Sequence, residues 1–373
     1  MNKCKLGDVA SVIISNVDKK SYENEIKVKL CNFTDVYYNW AITLRDEPKL
    51  MIATATNNEI CKYKLHKGDV AITKDSETKE DIGQSTLIAD EIPDMLLGYH
   101  CALIRPNTDK LLGAYLNAVL HTKLATRYFE LNASGSGQRY TLSVDAINDF
   151  QLYLPSINEQ ERISKILTDI DRKIENNTCI NDNLQQVIKS CFDFMFATRK
   201  PNGIISDILQ EHPKSTIQVN DSTGILGDYP FFTSGEAINE WQSALVDGMN
   251  CYLSTGGNAT IKGYYGKAAY STDTWCVCGK GEYSFYLFCY LKSIIRSIND
   301  SFFAGSGLKH LQKDSLLLVN LYIPSEKELE KFNSIVKPAM ETMTKLFLET
   351  KKLKQQRDFL LPLLMNGQAT IAE

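Results

Sequence analysis

In the stretch LHKGDVAITKDSE, residues 65–77, Asp69 precedes Glu77, and Lys79 follows in ETK. Two carboxylates and a lysine are the tools of a magnesium-dependent nuclease: the acids hold the metal and the lysine steadies developing charge. A charged, solvated loop produces the same spacing by chance, and no second catalytic signal joins it. The chain has no Asn/Asp-Pro-Pro-Tyr/Phe motif to hold a flipped base, no GxGxxG, no GKS or GKT loop and no HExxH. Its five histidines do not cluster, and its ten cysteines contain no CxxC pair. Cys276 and Cys278, in CVC, fall on one face of a strand, a poor bite for zinc. Neither catalysis nor a protein-bound metal is expected of these residues.

Repetition is the stronger signal. GSG occurs at Gly135–Gly137 and again at Gly305–Gly307, an offset of 170; LYLPS at Leu152–Ser156 returns as LYIPS at Leu321–Ser325, an offset of 169. One residue is lost between the two landmarks. After each Pro-Ser comes a carboxylate three residues on, Glu159 and Glu328, the spacing of a helix capping box. Each copy therefore ends a strand and starts a helix.

Both helices are long. From Ile163 apolar residues step by four and three through Leu167, Ile170 and Ile174, pause at Asn177 and Asn181, and resume at Leu184, Ile188, Cys191 and Met195. The second seam runs Phe332, Val336, Ala339, Met343, Leu346, Thr350, Leu353, Arg357, Leu360, Leu364. This is heptad spacing. The asparagines either fix register or reach water where the helices splay. Pro338 should kink the second helix near its start, and Pro362 should end it near Leu361. Between the helices lie short β-like runs broken by Gly, Asp and Asn. LVDGMNCYLSTGGN (245–258) repeats the shape of LHKGDVAITKDSE, and each half adds a shorter helix before its GSG. The expected architecture is α+β: two pseudo-repeated α/β domains separated by a pair of long antiparallel coiled-coil helices. The boundaries are 1–155 for the first domain, 156–198 for the first helix, 199–323 for the second domain and 324–373 for the second helix.

The totals agree with such a chain. It has 373 residues, enough for two domains, with 43% hydrophobic and 23% charged residues. No apolar run approaches a membrane span, and the start, MNKCKLGDVASVIIS, lacks the apolar core of a signal peptide. Scattered thiols without such a leader fit the cytoplasm. The net charge of −4 speaks weakly against wholesale coating of nucleic acid, and any nucleic-acid face must be a local patch made by folding.

LPSINEQERISKILTDIDRKIENN resembles the central conserved helix of the DNA-specificity subunits of type I restriction–modification systems. LKQQRDFLLPLLMNG resembles their distal conserved helix, and LHKGDVAIT, DYPFFTSG and GSGQRYTLSVDAI resemble phrases of their target-recognition domains. The resemblance covers nearly the whole chain, duplication included. The second helix start, SEKELEKF, departs from the usual Glu-Gln-x-x-Ile wording. The resemblance implies that each domain reads one half of a bipartite site in double-stranded DNA, and that the helix pair measures the unread spacer. It implies two methylation subunits docked on the chain, which restriction subunits can join. It also implies no cofactor in this chain, with S-adenosylmethionine, ATP and magnesium held by partner subunits. The competing reading is a self-contained metal-dependent endonuclease built on Asp69, Glu77 and Lys79.

Candidates for DNA contact are loop residues whose edges match bases, or whose charge or backbone suits phosphate. In the first domain they are Lys74, Gln84, Ser136, Gln138, Arg139 and Tyr140. In the second they are Thr233, Ser234, Asn258, Lys262, Tyr264, Tyr265, Lys267, Ser306 and Lys309. Each GSG either brings backbone amides to a phosphate or is a plain tight turn.

Overall fold

The protein is described by a computed structural model covering residues 2–137, 139–305, 307 and 309–365. The chain divides into two compact units. The first combines residues 1–174 with 352–373, and the second is residues 175–351.

In the first unit the main sheet has the order Ala10–Ile14, Cys101–Pro106, Val70–Thr73, Ser85–Ile88, Ala41–Ile42. Its pairs are antiparallel apart from the last, Ala41–Ile42 with Ser85–Ile88. Every residue of Val70–Thr73 is buried. The reason is that both faces are covered, so the run of apolar residues carries no alternation. A small sheet of order Ser134–Ser136, Arg139–Thr141, Asp75–Ser76 continues from the end of that strand. Asn2–Lys5 pairs with Gln151–Leu154, the strand that feeds the first long helix.

The second unit repeats the plan. Its four-stranded sheet runs Leu209–Glu211, Thr274–Gly279, Met249–Ser254, Ile261–Tyr265. Gly203–Ile204 pairs with Asn320–Leu321 before the second long helix, as Asn2–Lys5 pairs with Gln151–Leu154 before the first. A hairpin of Phe303–Ala304 and His310–Leu311 stands where the first unit has Ser134–Ser136 and Arg139–Thr141.

The long helices are Ile157–Phe196 and Glu326–Met365, 40 residues each. At the first start, the Ser156 hydroxyl accepts from the Glu159 amide (3.3 Å). At the second, Glu328 accepts from both the amide and the hydroxyl of Ser325 (3.0 and 2.8 Å). Gln160, fully buried, accepts from the Leu112 amide and donates to the carbonyls of Lys110 and Pro155, fastening the first helix to its domain. At the matching offset the second helix has Leu329, which is buried in an apolar core. The departure from the family wording there exchanges a polar fastening for an apolar one.

Within the first unit Ile163 and Leu167 share a core with Leu361, Leu364 and Met365. Within the second, Ile188, Phe192 and Phe196 share one with Phe332, Val336 and Met340. In each unit the early part of one helix meets the late part of the other, so the segments run antiparallel. The expected stop at Pro362 is wrong: the helix continues to Met365. A proline in the last turn forfeits one hydrogen bond, and burial of Leu364 and Met365 holds that turn in place. The helix is also continuous through Pro338. Among the described residues no helix is long and apolar enough to cross a membrane.

Candidate nucleic-acid interface

The first unit gathers charged and aromatic side chains where the small sheet leaves the main one. Gly135, at φ +135°, closes the hairpin so tightly that a Cβ there would lie 2.2 Å from the Arg139 carbonyl oxygen. The GSG is thus the turn of a hairpin whose return strand carries Arg139 and Tyr140. That strand pairs with Asp75–Ser76, directly after Lys74. Asp75, itself buried, receives Lys74 Nζ at 2.7 Å and Arg139 Nη2 at 3.0 Å, and His100 Nδ1 lies 2.7 Å from the same oxygen. Burial alone would raise the Asp75 carboxyl, but bonds from Lys74, His100 and Thr141 more than reverse this and hold it well below the usual carboxylate range. The carboxylate is therefore charged, and it fixes three basic groups around itself.

Aromatic surface borders this cluster. Lys79 Nζ sits 5.3 Å from the Tyr140 ring centroid. Tyr99 packs 3.7 Å, centroid to centroid, from His100. Elsewhere in the unit Tyr38, 67% exposed and at φ +54°, donates to Asp81 at 2.5 Å and lies beside Tyr37. Basic groups interleaved with exposed rings suit phosphate, base edge and base face. Gln84 is half-buried and bonded to Thr73 through its backbone. Ser136 lies opposite Arg139 in the hairpin, and Gln138 falls outside the described residues.

The carboxylate–lysine set proposed for metal chemistry is not assembled. Asp69 is buried and accepts from Arg105 through Nε and Nη2 (2.9 and 2.7 Å) and from the His66 amide. Among the described residues no group of three or more His, Cys, Asp or Glu side chains could hold a metal.

In the second unit the candidates separate. Tyr264 is buried against Phe232 and Phe347, and Tyr265 packs on Phe285. Buried Thr233 donates to the Ala237 carbonyl. The Lys262 amine is spent on the carbonyls of Thr233, Gly235 and Ala237. These contacts tie all four to the fold, with Tyr264 and Thr233 buried and Lys262 and Tyr265 half-buried. Ser234, Asn258 and Lys309 gather at one turn: Thr260 donates to Ser234, Ser254 to Asn258, and the Gly257 amide to Lys309. Asn258, Lys267 and Lys309 are exposed; Ser306 falls outside the described residues.

Pairing registers align the two sites. Thr73 pairs with Cys101 as Ser254 pairs with Thr274, and Thr141 meets Ser134 and Asp75 as His310 meets Ala304 and Gly256. Thr255, Gly256 and Asp273 thus stand where the first unit has Lys74, Asp75 and His100. The hairpin is one residue shorter in the second unit, which accounts for the residue lost between the sequence landmarks.

The residues of the expected seam are buried to different degrees. Ile163, Leu167, Ile188, Phe332 and Val336 are buried; Ile170, Ile174, Leu184, Met343, Leu346, Leu353 and Leu360 are half-buried. Asn177, 2% exposed, donates to Glu349 and Thr350 of the other helix (2.9 and 3.3 Å). The heptad reading missed Phe192 and Phe196, which are buried because the helix there packs on a domain as well as on its partner helix. It missed Asp75 and His100 because nothing in sequence couples residues that meet across strands. On the outer face, Ile180, Val187 and Phe194 form an exposed apolar stripe at seven-residue intervals.

Comparison with known proteins bears on these features. Residues 1–186 match the family described as the type I restriction modification DNA specificity domain. The specificity subunit of the type I restriction enzyme HindI of Haemophilus influenzae is 26% identical over 202 residues, 52% of this chain and 40% of that protein. The chain thus spans well under half of that relative. The MjaIX specificity subunit of Methanocaldococcus jannaschii is 20% identical over 308 residues, 71% of each. The crystal structure of a type I restriction–modification S subunit from M. genitalium shares the fold at a TM-score of 0.63 and 13% identity, covering 100% of this chain and 96% of that one.

Proposed function

We propose that the chain, whose residues 1–186 match the type I restriction modification DNA specificity domain family, is the specificity subunit of a type I restriction–modification complex. Residues 1–155 and 199–323 each read one half of a bipartite site in double-stranded DNA. Residues 156–198 and 324–373 form the helix pair that sets the unread spacer. The carrying observation is the repeated hairpin: the same backbone device ends both units' central strands, with different side chains on each. Two readers of one design with different chemistry suit a split site whose halves differ.

The chain itself contributes no catalysis in this reading. Two methylation subunits dock on it, with S-adenosylmethionine as their methyl donor; restriction subunits that join bring ATP and magnesium. The stripe of Ile180, Val187 and Phe194 offers one such partner an apolar helix face. A duplicated chain offers two similar surfaces, which suits two copies of one partner. The ten free cysteines fit assembly in the cytoplasm.

Methylation mapping tests the proposal. A host given this chain and its methylation subunit gains adenine methylation at a split motif, and loses it when this chain is withheld. Methylation that is unchanged without the chain, or that falls at an uninterrupted motif, overturns it.

A further inference from the structure

The first unit holds a guanidinium in a way that phosphate binding does not call for. Arg139 is 59% exposed along its side chain, yet its Nη2 is fixed by Asp75 at 3.0 Å and lies 2.5 Å from His100 Nδ1. Asp75 is in turn seated by Lys74. His100 stands at φ +73°, a conformation a non-glycine residue adopts only where its surroundings insist on it. One nitrogen of the guanidinium is therefore tied to the fold while the side chain as a whole stays more than half exposed.

A phosphate contact needs only charge, which a freely moving side chain supplies; Asp75, shared among Lys74, His100 and Arg139, fixes the guanidinium rather than cancelling the charge of the cluster. Reading a base needs the opposite: a planar fork of donors in one fixed orientation, with net charge secondary. Guanine presents two acceptors, O6 and N7, on its major-groove edge, and a bidentate arginine is their usual partner.

Resting on the DNA-specificity reading above, we propose that Arg139 is a guanine-reading side chain of the first unit. Asp75 is its positioning residue, and the half-site read by this unit contains a guanine whose recognition depends on both. The second unit lacks the device, since Thr255, Gly256 and Asp273 occupy the places of Lys74, Asp75 and His100. The guanine requirement set by this cluster belongs to one half-site only.

The experiment uses the full chain assembled with its methylation subunits and selects from duplexes with a randomised core. The wild-type assembly enriches a split motif with a guanine at one position of one half. Arg139→Ala lowers the preference for that guanine by roughly 10- to 100-fold, leaves the other half-site as it was, and leaves the slope of log affinity against log salt nearly unchanged. Arg139→Lys restores charge but not the preference. Asp75→Asn weakens the preference at the same position while raising affinity for every sequence, because a negative charge is gone. A merely structural role would not give that gain.

Equal loss of affinity for all sequences in Arg139→Ala, with the salt slope reduced by about one, makes Arg139 a phosphate contact and overturns the proposal while the specificity reading stands. Failure of the wild-type assembly to enrich any split motif overturns the specificity reading itself, and this proposal with it.

Discussion

His121 stacks on Trp40 with centroids 4.5 Å apart, and the Arg357 guanidinium lies 4.9 Å from the Trp40 ring centroid. Its Nε2 is buried without a hydrogen-bond partner. Burial first, and then the charge of Arg357, push its pKa down from 6.5 to about 4. The folded state therefore keeps this ring neutral where the unfolded chain would protonate it. The unfolded state binds more protons between those two values, so stability is full above about pH 6.5 and falls as pH drops towards 4. The expected loss is on the order of 2–3 kcal/mol. Denaturant unfolding at pH 7.5 and pH 5 should show a smaller difference in His121→Phe than in the wild type; equal differences would refute the assignment. Single residues were the least legible part of the sequence. Lys74 and Arg139 could be chosen from their types, but the carboxylate that joins them could not, because strand pairing across about 60 residues creates the contact. The bonds of Lys262 to the carbonyls of Thr233 and Ala237 were equally hidden, because they join residues about 25–30 positions apart.

The long helices were legible because each carries its own boundary and period. Pro-Ser followed by a carboxylate marks the start, and steps of four and three mark the inward face. Pro362 misled because a proline's cost is local while the burial that offsets it comes from distant residues. Two phenylalanines show how sharply the helix faces differ. Phe332 is fully buried among Phe192, Phe196 and Tyr286. Phe332→Ala should cost about 3–5 kcal/mol, read as a lowered denaturant midpoint. Phe194 is 92% exposed. Phe194→Asp should change stability by no more than about 0.5 kcal/mol yet weaken binding of a methylation subunit more than 10-fold in titration calorimetry. Unchanged partner affinity would remove the stripe from the docking surface.

At the scale of the molecule, the repeat itself was the plainest message in the sequence, and the division into two units follows it only in part. Each 40-residue helix contributes to both units. If the helices measure the spacer, lengthening them lengthens it. Four residues inserted after Ile174 and four after Lys351 add about 6 Å of helix, close to two base pairs at about 3.4 Å each. Methylation mapping should then find the spacer longer by one or two base pairs, both half-sites intact, and activity reduced by the added rotation. An unchanged spacer at full activity would show that the helices are not the measure. Replacing residues 200–322 with the same region of a relative should alter one half-site alone, and a change in both would deny independent reading. Native mass measurement should find two methylation subunits per chain.

The first unit takes Leu361, Leu364 and Met365 into the core that Ile163 and Leu167 begin, and the whole of the second unit lies between these segments in sequence. On the ribosome, that core waits for residues made after residues 175–351, a delay of roughly 10–40 s at ordinary elongation rates. The second unit, continuous in sequence, is complete first. The domain begun earliest is thus closed latest, and a transcript broken before residue 352 yields a chain with an open apolar face for chaperones and proteases to find.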